Sequence, residues 1–282
     1  ELGVVSVAWV ANAYLLAGAA FALIGGRLGD DLGRTRALAL GCAREGADII
    51  INYFQGRDEA RDVAREVTAL GRRALILPAD LRRTAQIDRM FRRAREAFPK
   101  LDVLINNAGL TGWTEFFDTT EEKWDTVLDT NLKGTFFCTL AAARWMRETK
   151  TPGAVINIST VCAALGVKNL VAYATSKAAI NGMTKQLAVE LAPYRIRVNT
   201  FAPGPINVER NLKDDPDYRN AWGGVVPLGR TGEPEEMVGP AVFLASPDSS
   251  YVTGQVFYAD GGWTVQGKIP LANMARAARR NR

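Results

Sequence analysis

Between Asp48 and Ala259 the sequence repeats one pattern: a short run of aliphatic residues, then a longer stretch with helical periodicity. Asp48–Asn52 (DIIIN), Ala74–Pro78, Leu101–Asn106 (LDVLIN), Ala154–Ile158 (AVINI), Ile196–Phe201 and Gln255–Ala259 read as strands. Runs such as LDVLIN and AVINI are apolar on both faces, which suits strands covered on both sides in a parallel sheet. Helices are expected over Asp58–Leu70, ending at Gly71, over Thr84–Phe98, stopped by Pro99, and over Tyr173–Leu191. A further long helical stretch is opened by Thr119-Thr120-Glu121-Glu122, read as a capping box. Another starts at Pro234 and contains Pro240, where a lost backbone hydrogen bond predicts a kink or restart. Alternation of this kind predicts βαβ units with right-handed crossovers, hence an α/β doubly wound, Rossmann-like parallel sheet. No repeat or linker divides the chain after residue 45. The expected organisation is an apolar segment over 1–34, one α/β domain over 35–265 and a basic tail over 266–282.

The 282 residues include no histidine, which removes His-based triads and most catalytic zinc sites. Proton transfer must then run on Tyr, Lys, Asp, Glu or Cys. Three cysteines (Cys42, Cys138, Cys162) form no CxxC pair and suit a reducing compartment. The net charge of +5 is spread over helix-like arginines and the tail, without aromatic interleaving, so it reads as solvated surface rather than a nucleic-acid site.

The sharpest chemical signal is YATSK, Tyr173 to Lys177. On a helix, residues i and i+4 share a face, so phenol and ammonium point the same way. A cation beside a phenol favours the phenolate and lowers its pKa, fitting the phenol for proton transfer with an alcohol or carbonyl. Alone the pair is weak, the bland reading being an interfacial Tyr and a surface Lys. Its company is NNAG (Asn106–Gly109) after a buried strand, Asn131 in NLKGT, IST (Ile158–Thr160) at another strand end, and Pro203-Gly204. With these five motifs in this order, the chain resembles the short-chain dehydrogenase/reductase family over about residues 35–265. Within it, APGPIN and YVTGQVFYADGG are most similar to glucose-type sugar dehydrogenases and 3-oxoacyl-carrier-protein reductases.

The resemblance implies roles. Tyr173 is the general acid/base, Lys177 holds the nicotinamide ribose and tunes the phenol, and Asn131 holds a water in the proton relay. The hydroxyl that polarises the substrate oxygen lies thirteen residues before the tyrosine, at Thr160, where serine is usual. Ser159 is the fallback donor. Asp80, with Leu81 beside it, matches the adenine contact, Asn107 ties the central strands, and Gly109 allows close backbone approach. Pro203, Gly204 and Ile206 match the segment facing the nicotinamide, although Val208 stands where a threonine is usual. NAD or NADP is the implied cofactor. An acid at the end of the second strand would favour NAD by repelling a 2′-phosphate. Tyr53 stands there instead, with Arg57 nearby, which leans toward NADP.

The N-terminal segment conflicts with this frame. Val4–Gly26 holds 23 residues without a charge, enough for a membrane span, which needs about 20. WVANAYLLAGAAFALIGGRLGDDLGR resembles the second transmembrane helix and following loop of a major facilitator drug transporter. As a phosphate loop, Gly25 and Gly29 have the GxxxG spacing, but Asp31 stands where the next glycine belongs. Asp30 and Asp31 would set two negative charges against a pyrophosphate, while Gly33 comes two residues late. The segment is therefore expected to be transmembrane-like or an aberrant first strand, with membrane contact through residues 4–26.

The functional expectation is an NAD(P)-dependent oxidoreductase that interconverts an alcohol and a carbonyl on a sugar or similar small polar substrate. A cytoplasmic homo-oligomer, a tetramer by the resemblance, is expected. Two alternatives stand beside it: a dehydrogenase-like module with impaired cofactor binding, and a membrane-attached fusion fragment.

Overall fold

The computed structural model of the chain describes residues 21–25 and 32–267. Among them, seven strands form one parallel sheet: β1 (Phe21–Gly25), β2 (Asp48–Tyr53), β3 (Ala74–Pro78), β4 (Val103–Asn106), β5 (Gly153–Ile158), β6 (Ile196–Pro203) and β7 (Val256–Ala259). Their spatial order is β3-β2-β1-β4-β5-β6-β7. From β1 the chain winds outward to β3, then returns to place β4 on the other side of β1. That reversal opens a crevice beyond the carboxyl ends of β1 and β4, where open α/β sheets bind their ligands.

The strands are continuously apolar because both faces are covered. Every residue of β2, β4 and β5 is buried. Successive side chains alternate between faces. Ile49, Ile51, Val103, Ile105, Ile156 and Ile158 pack under α1 (Leu32–Arg44), α2 (Arg57–Ala69) and α9 (Val238–Ala245). Ile50, Leu104 and Val155 pack on the other face, against α3 (Thr84–Ala97), α5 (Gly134–Glu148) and α6 (Val171–Leu191).

Phe21–Gly25, inside the segment read as transmembrane-like, is the central strand. Its residues pair in parallel with Asp48–Asn52 on one side, and Ala22–Gly25 pair with Val103–Asn106 on the other. These five residues therefore belong to the sheet, because two neighbouring strands supply the backbone partners that a lone apolar run would seek inside a helix. No helix among the described residues is long and apolar enough to cross a membrane. Residues 1–20 and 26–31, which include Gly29, Asp30 and Asp31, lie outside the described residues.

Two local expectations resolve in detail. α4 (Glu121–Leu128) is capped by Thr120 alone, which accepts from the Lys123 amide at 3.3 Å. The helix continues through a π turn (Asp129–Lys133) into α5. The two-way capping box occurs instead at Glu233 and Glu236, around the 3₁₀ turn Pro234–Met237. α9 restarts at Val238, so Pro240 sits in its first turn, where no amide donor is needed.

Candidate active site

α6 carries Tyr173 and Lys177 to the carboxyl end of β5. Lys177 is 3% exposed, and its Nζ donates to the Ile158 carbonyl at 2.7 Å and lies 6.0 Å from the centre of the Tyr173 ring. Burial pushes this ammonium down to about 7, helped by repulsion from Arg34. The same burial raises the Tyr173 phenol above its ordinary value. Arg34, a hydrogen bond from Thr160 and Arg210 pull it back, while the Cys162 thiol adds to the rise. Desolvation thus outweighs the charges around the phenol, among which the arginines pull its value down.

Past the end of β5 the chain separates the two candidate hydroxyls. Ser159 is buried and its Oγ donates to the Lys177 carbonyl at 3.3 Å. Thr160 lines the cavity beside Tyr173, as Ser159 does, and its Oγ1 accepts from the Cys162 amide at 3.4 Å. Thr160, Tyr173 and Lys177 are thus brought together, and the Ser159 hydroxyl faces the helix backbone.

Asn131 sits in the π turn and is fully buried. Its Oδ1 accepts from the Leu110 amide at 2.7 Å, and its Nδ2 donates to the Leu110 carbonyl at 2.9 Å and to Ser176 Oγ at 3.0 Å. It therefore clamps the loop after β4 onto α6. Gly109 lies in this clamp: a Cβ there would stand 3.3 Å from Lys177 Nζ and 3.5 Å from Asn131 Oδ1. Asn107 Nδ2 donates to Thr35 Oγ1 in α1 at 3.0 Å, and its buried Oδ1 has no hydrogen-bond partner among the described residues.

The remaining candidates lie along the crevice. Gly25 ends β1 between Asn52 and Asn106. Asp80 follows β3, and its carboxylate accepts from Arg82 through Nε at 2.9 Å and Nη2 at 2.8 Å. Arg82 in turn lies 5.4 Å from the Phe54 ring centre. Leu81 packs so closely on Gly134 that a Cβ there would lie 3.0 Å from it. Tyr53 is buried in the core under α1 and α2, so Phe54, half-exposed, is the aromatic that borders the crevice. Arg57, the first residue of α2, is exposed. Pro203 ends β6, Gly204 follows with its amide on the Ala259 carbonyl at 3.0 Å, and Ile206 is buried beside them. α1 starts at Leu32, so Gly33, dismissed on spacing, is in the first turn of the helix that faces the crevice.

A cavity of about 390 Å³ opens over Tyr173 and Thr160. Its far side is formed by α7 (Glu209–Asp214), α8 (Tyr218–Gly223) and the turn around Trp263. Arg34, Tyr218, Trp222 and Trp263 all line this cavity. Only their meeting at one cavity marks them, and no local spacing announces that.

A family model described as enoyl-(acyl carrier protein) reductase matches residues 32–264. The chain belongs to the short-chain dehydrogenase/reductase family. Among curated members of this family, it is 38% identical over 239 residues to the L-rhamnose 1-dehydrogenase (NAD(P)(+)) of Azotobacter vinelandii, covering 83% of this chain and 93% of that one. Among solved short-chain dehydrogenase/reductase structures, it is 33% identical to one from Mycobacterium marinum, with a TM-score of 0.84 over 91% of this chain and 100% of that one. The acetoin dehydrogenase of Enterobacter cloacae is also 33% identical, with a TM-score of 0.80 over 90% of this chain and 100% of that one.

Proposed function

We propose that the protein is an NAD(P)-dependent dehydrogenase that interconverts a secondary alcohol and a carbonyl on a sugar. The observation that carries this reading is that Thr160 and Tyr173 line one cavity beside the switch-point crevice, with the Lys177 Nζ buried 6.0 Å from the Tyr173 ring centre. Similarity to a rhamnose dehydrogenase supports the sugar.

The crevice fits a dinucleotide. Asn107 offers a buried, unsatisfied acceptor there, and Gly109 keeps the backbone close to Lys177 where any side chain would intrude. Gly33, Phe54, Asp80, Gly109, Lys177, Gly204 and Ile206 are the residues that would hold the cofactor, which when bound supplies the acceptor or donor of hydride. The end of β2 presents Tyr53, Phe54 and Gln55, with no acid to repel a 2′-phosphate, while Arg57 and Arg82 flank it. These cations favour NADP. The two negative charges of Asp30 and Asp31, just before α1 in sequence, are the part of this reading that limits cofactor affinity.

Thr160 holds the substrate oxygen through its hydroxyl, and Tyr173 exchanges the proton with that oxygen. A phenol held above its ordinary value stays protonated at neutral pH, which favours it as an acid for carbonyl reduction. Alcohol oxidation, which needs the phenolate, gains as pH rises. Lys177 is braced by the Ile158 carbonyl at 2.7 Å, which fixes its ammonium below the phenol.

Tyr173→Phe tests the reading. Turnover of L-rhamnose should fall about 10²–10⁴-fold, as general acid–base losses do, while the Kd for NADPH, measured by cofactor fluorescence, stays within twofold. Turnover within a few-fold of wild type would remove Tyr173 from the mechanism.

A further inference from the structure

The cavity over Tyr173 has one side unlike the rest. Tyr218, Trp222 and Trp263 form a continuous aromatic run: the first two ring centres are 5.9 Å apart, and the two tryptophans meet edge-to-face at 5.0 Å and 82°. All three line the cavity. They come from two separate segments, since Trp222 is in α8 and Trp263 lies 41 residues later, in the turn after β7.

Those segments are fastened to each other. The Leu228 amide donates to the Gly261 carbonyl at 3.1 Å, and Gln266 Nε2 donates to the Val225 carbonyl at 2.6 Å. Gly261 and Gly262 have φ of +64° and +88°, and a Cβ on Gly261 would strike Val226 Cγ1 at 2.4 Å. This turn therefore holds Trp263 against Trp222 of α8. Polar groups stand beside the rings. Arg210, Asn211 and Asp215 line the same cavity, and Asn211 Nδ2 donates to Tyr218 Oη at 3.1 Å.

We propose that Trp222 and Trp263 are the specificity-determining wall of this enzyme, seating the C–H face of a cyclic aldose while Arg210 and Asp215 take its ring hydroxyls. Set at 82° to each other, the two indoles make an apolar corner in which one ring can offer its face and the other its edge. With polar groups at its rim, this corner matches a pyranose, which pairs a patch of axial C–H groups with a rim of hydroxyls. A small acyclic hydroxyketone has no such patch and gains little from the wall. The proposal rests on the sugar reading above and extends it to the residues that select the ring.

Trp222→Ala and Trp263→Ala, with Trp222→Phe and Trp263→Phe as conservative partners, test it against two substrates, L-rhamnose and acetoin. For the alanine variants, kcat/KM for L-rhamnose should fall at least about tenfold, a loss of about 1.4 kcal/mol. The value for acetoin should stay within about threefold, and the phenylalanine variants should recover most of the sugar activity. The Kd for NADPH serves as the check that the crevice is intact. If wild type oxidises L-rhamnose but the alanine variants lose both substrates equally, or neither, the wall is not selective and this inference falls alone. If wild type acts on acetoin and on no aldose, the sugar reading falls and takes the wall with it. An alanine variant that does not fold leaves the decision to its phenylalanine partner, which overturns the proposal if it loses sugar and acetoin activity together.

Discussion

Replacing Lys177 by Met should make the protein more stable, and by an amount that depends on pH. In the fold, the ammonium is 3% exposed and pushed from 10.5 down to about 7. At about 1.36 kcal/mol per pH unit, that gap is a penalty of about 5 kcal/mol for keeping the charged form buried. The folded value lies below the unfolded one, so between about pH 7 and 10.5 the unfolded chain binds more protons and stability rises with pH. The penalty is complete below pH 7 and fades as pH climbs through 10.5. From pH 6 to pH 9 the wild type should therefore gain about 3 kcal/mol relative to Lys177→Met, which has no group to titrate there. The lost bond to the Ile158 carbonyl at 2.7 Å is stronger for the charged donor, and that difference is already contained in the folded value of about 7. Equilibrium urea unfolding of both proteins at the two pH values, without added cofactor, gives the number. Curves that stay parallel to within about 0.5 kcal/mol would mean that Lys177 carries its charge at no cost, and the burial argument would be wrong.

Thr160→Ser should keep or raise the rate, whereas Thr160→Ala should lower kcat about 10²–10³-fold, as loss of a donor to a developing oxyanion does. Ser159→Ala should change kcat little, because that hydroxyl is spent on the Lys177 carbonyl; a larger loss from Ser159→Ala than from Thr160→Ala would invert the assignment. Gly204→Ala would set a methyl 2.7 Å from the Asp260 Cα, a backbone atom that cannot turn aside. Overpacking of this kind costs about 1–3 kcal/mol, and each kcal/mol lowers the Tm of a domain this size by about 2–4 °C. An unchanged Tm by scanning calorimetry would show that the loop after β7 yields freely.

The sheet was legible because its strands are covered on both faces, and such strands are written as unbroken apolar runs like DIIIN and AVINI. β1 was not, for the same physical reason carried further. An apolar run of 23 residues satisfies a lipid bilayer as well as a sheet, and only the pairing of Phe21–Gly25 with strands that come 23 or more residues later separates the two. At the site, Tyr173 and Lys177 were readable because helix periodicity alone sets them on one face. The net direction of the phenol's shift was not, because burial and Arg34 are properties of the assembled fold. Choosing between Ser159 and Thr160 needed the orientation of one strand end, and the bond from Asn107 to Thr35 spans 72 residues. The meeting of Trp222 and Trp263 likewise has no local signature.

The position of β1 also sets an order of events during synthesis. Phe21–Gly25 leaves the ribosome before either strand that flanks it, and its second neighbour ends only at Asn106. At about 5–20 residues per second, the intervening stretch of about eighty residues takes about 4–16 s to make. Through that interval the middle of the sheet is a nascent apolar segment, with both edges open until β2 is made and one open until β4 follows, attractive to chaperones and to other copies of itself. Slowed translation before Val103 lengthens the exposure, and faster translation or a holding chaperone shortens it. The yield of folded protein is thus tied to how quickly the fourth strand arrives.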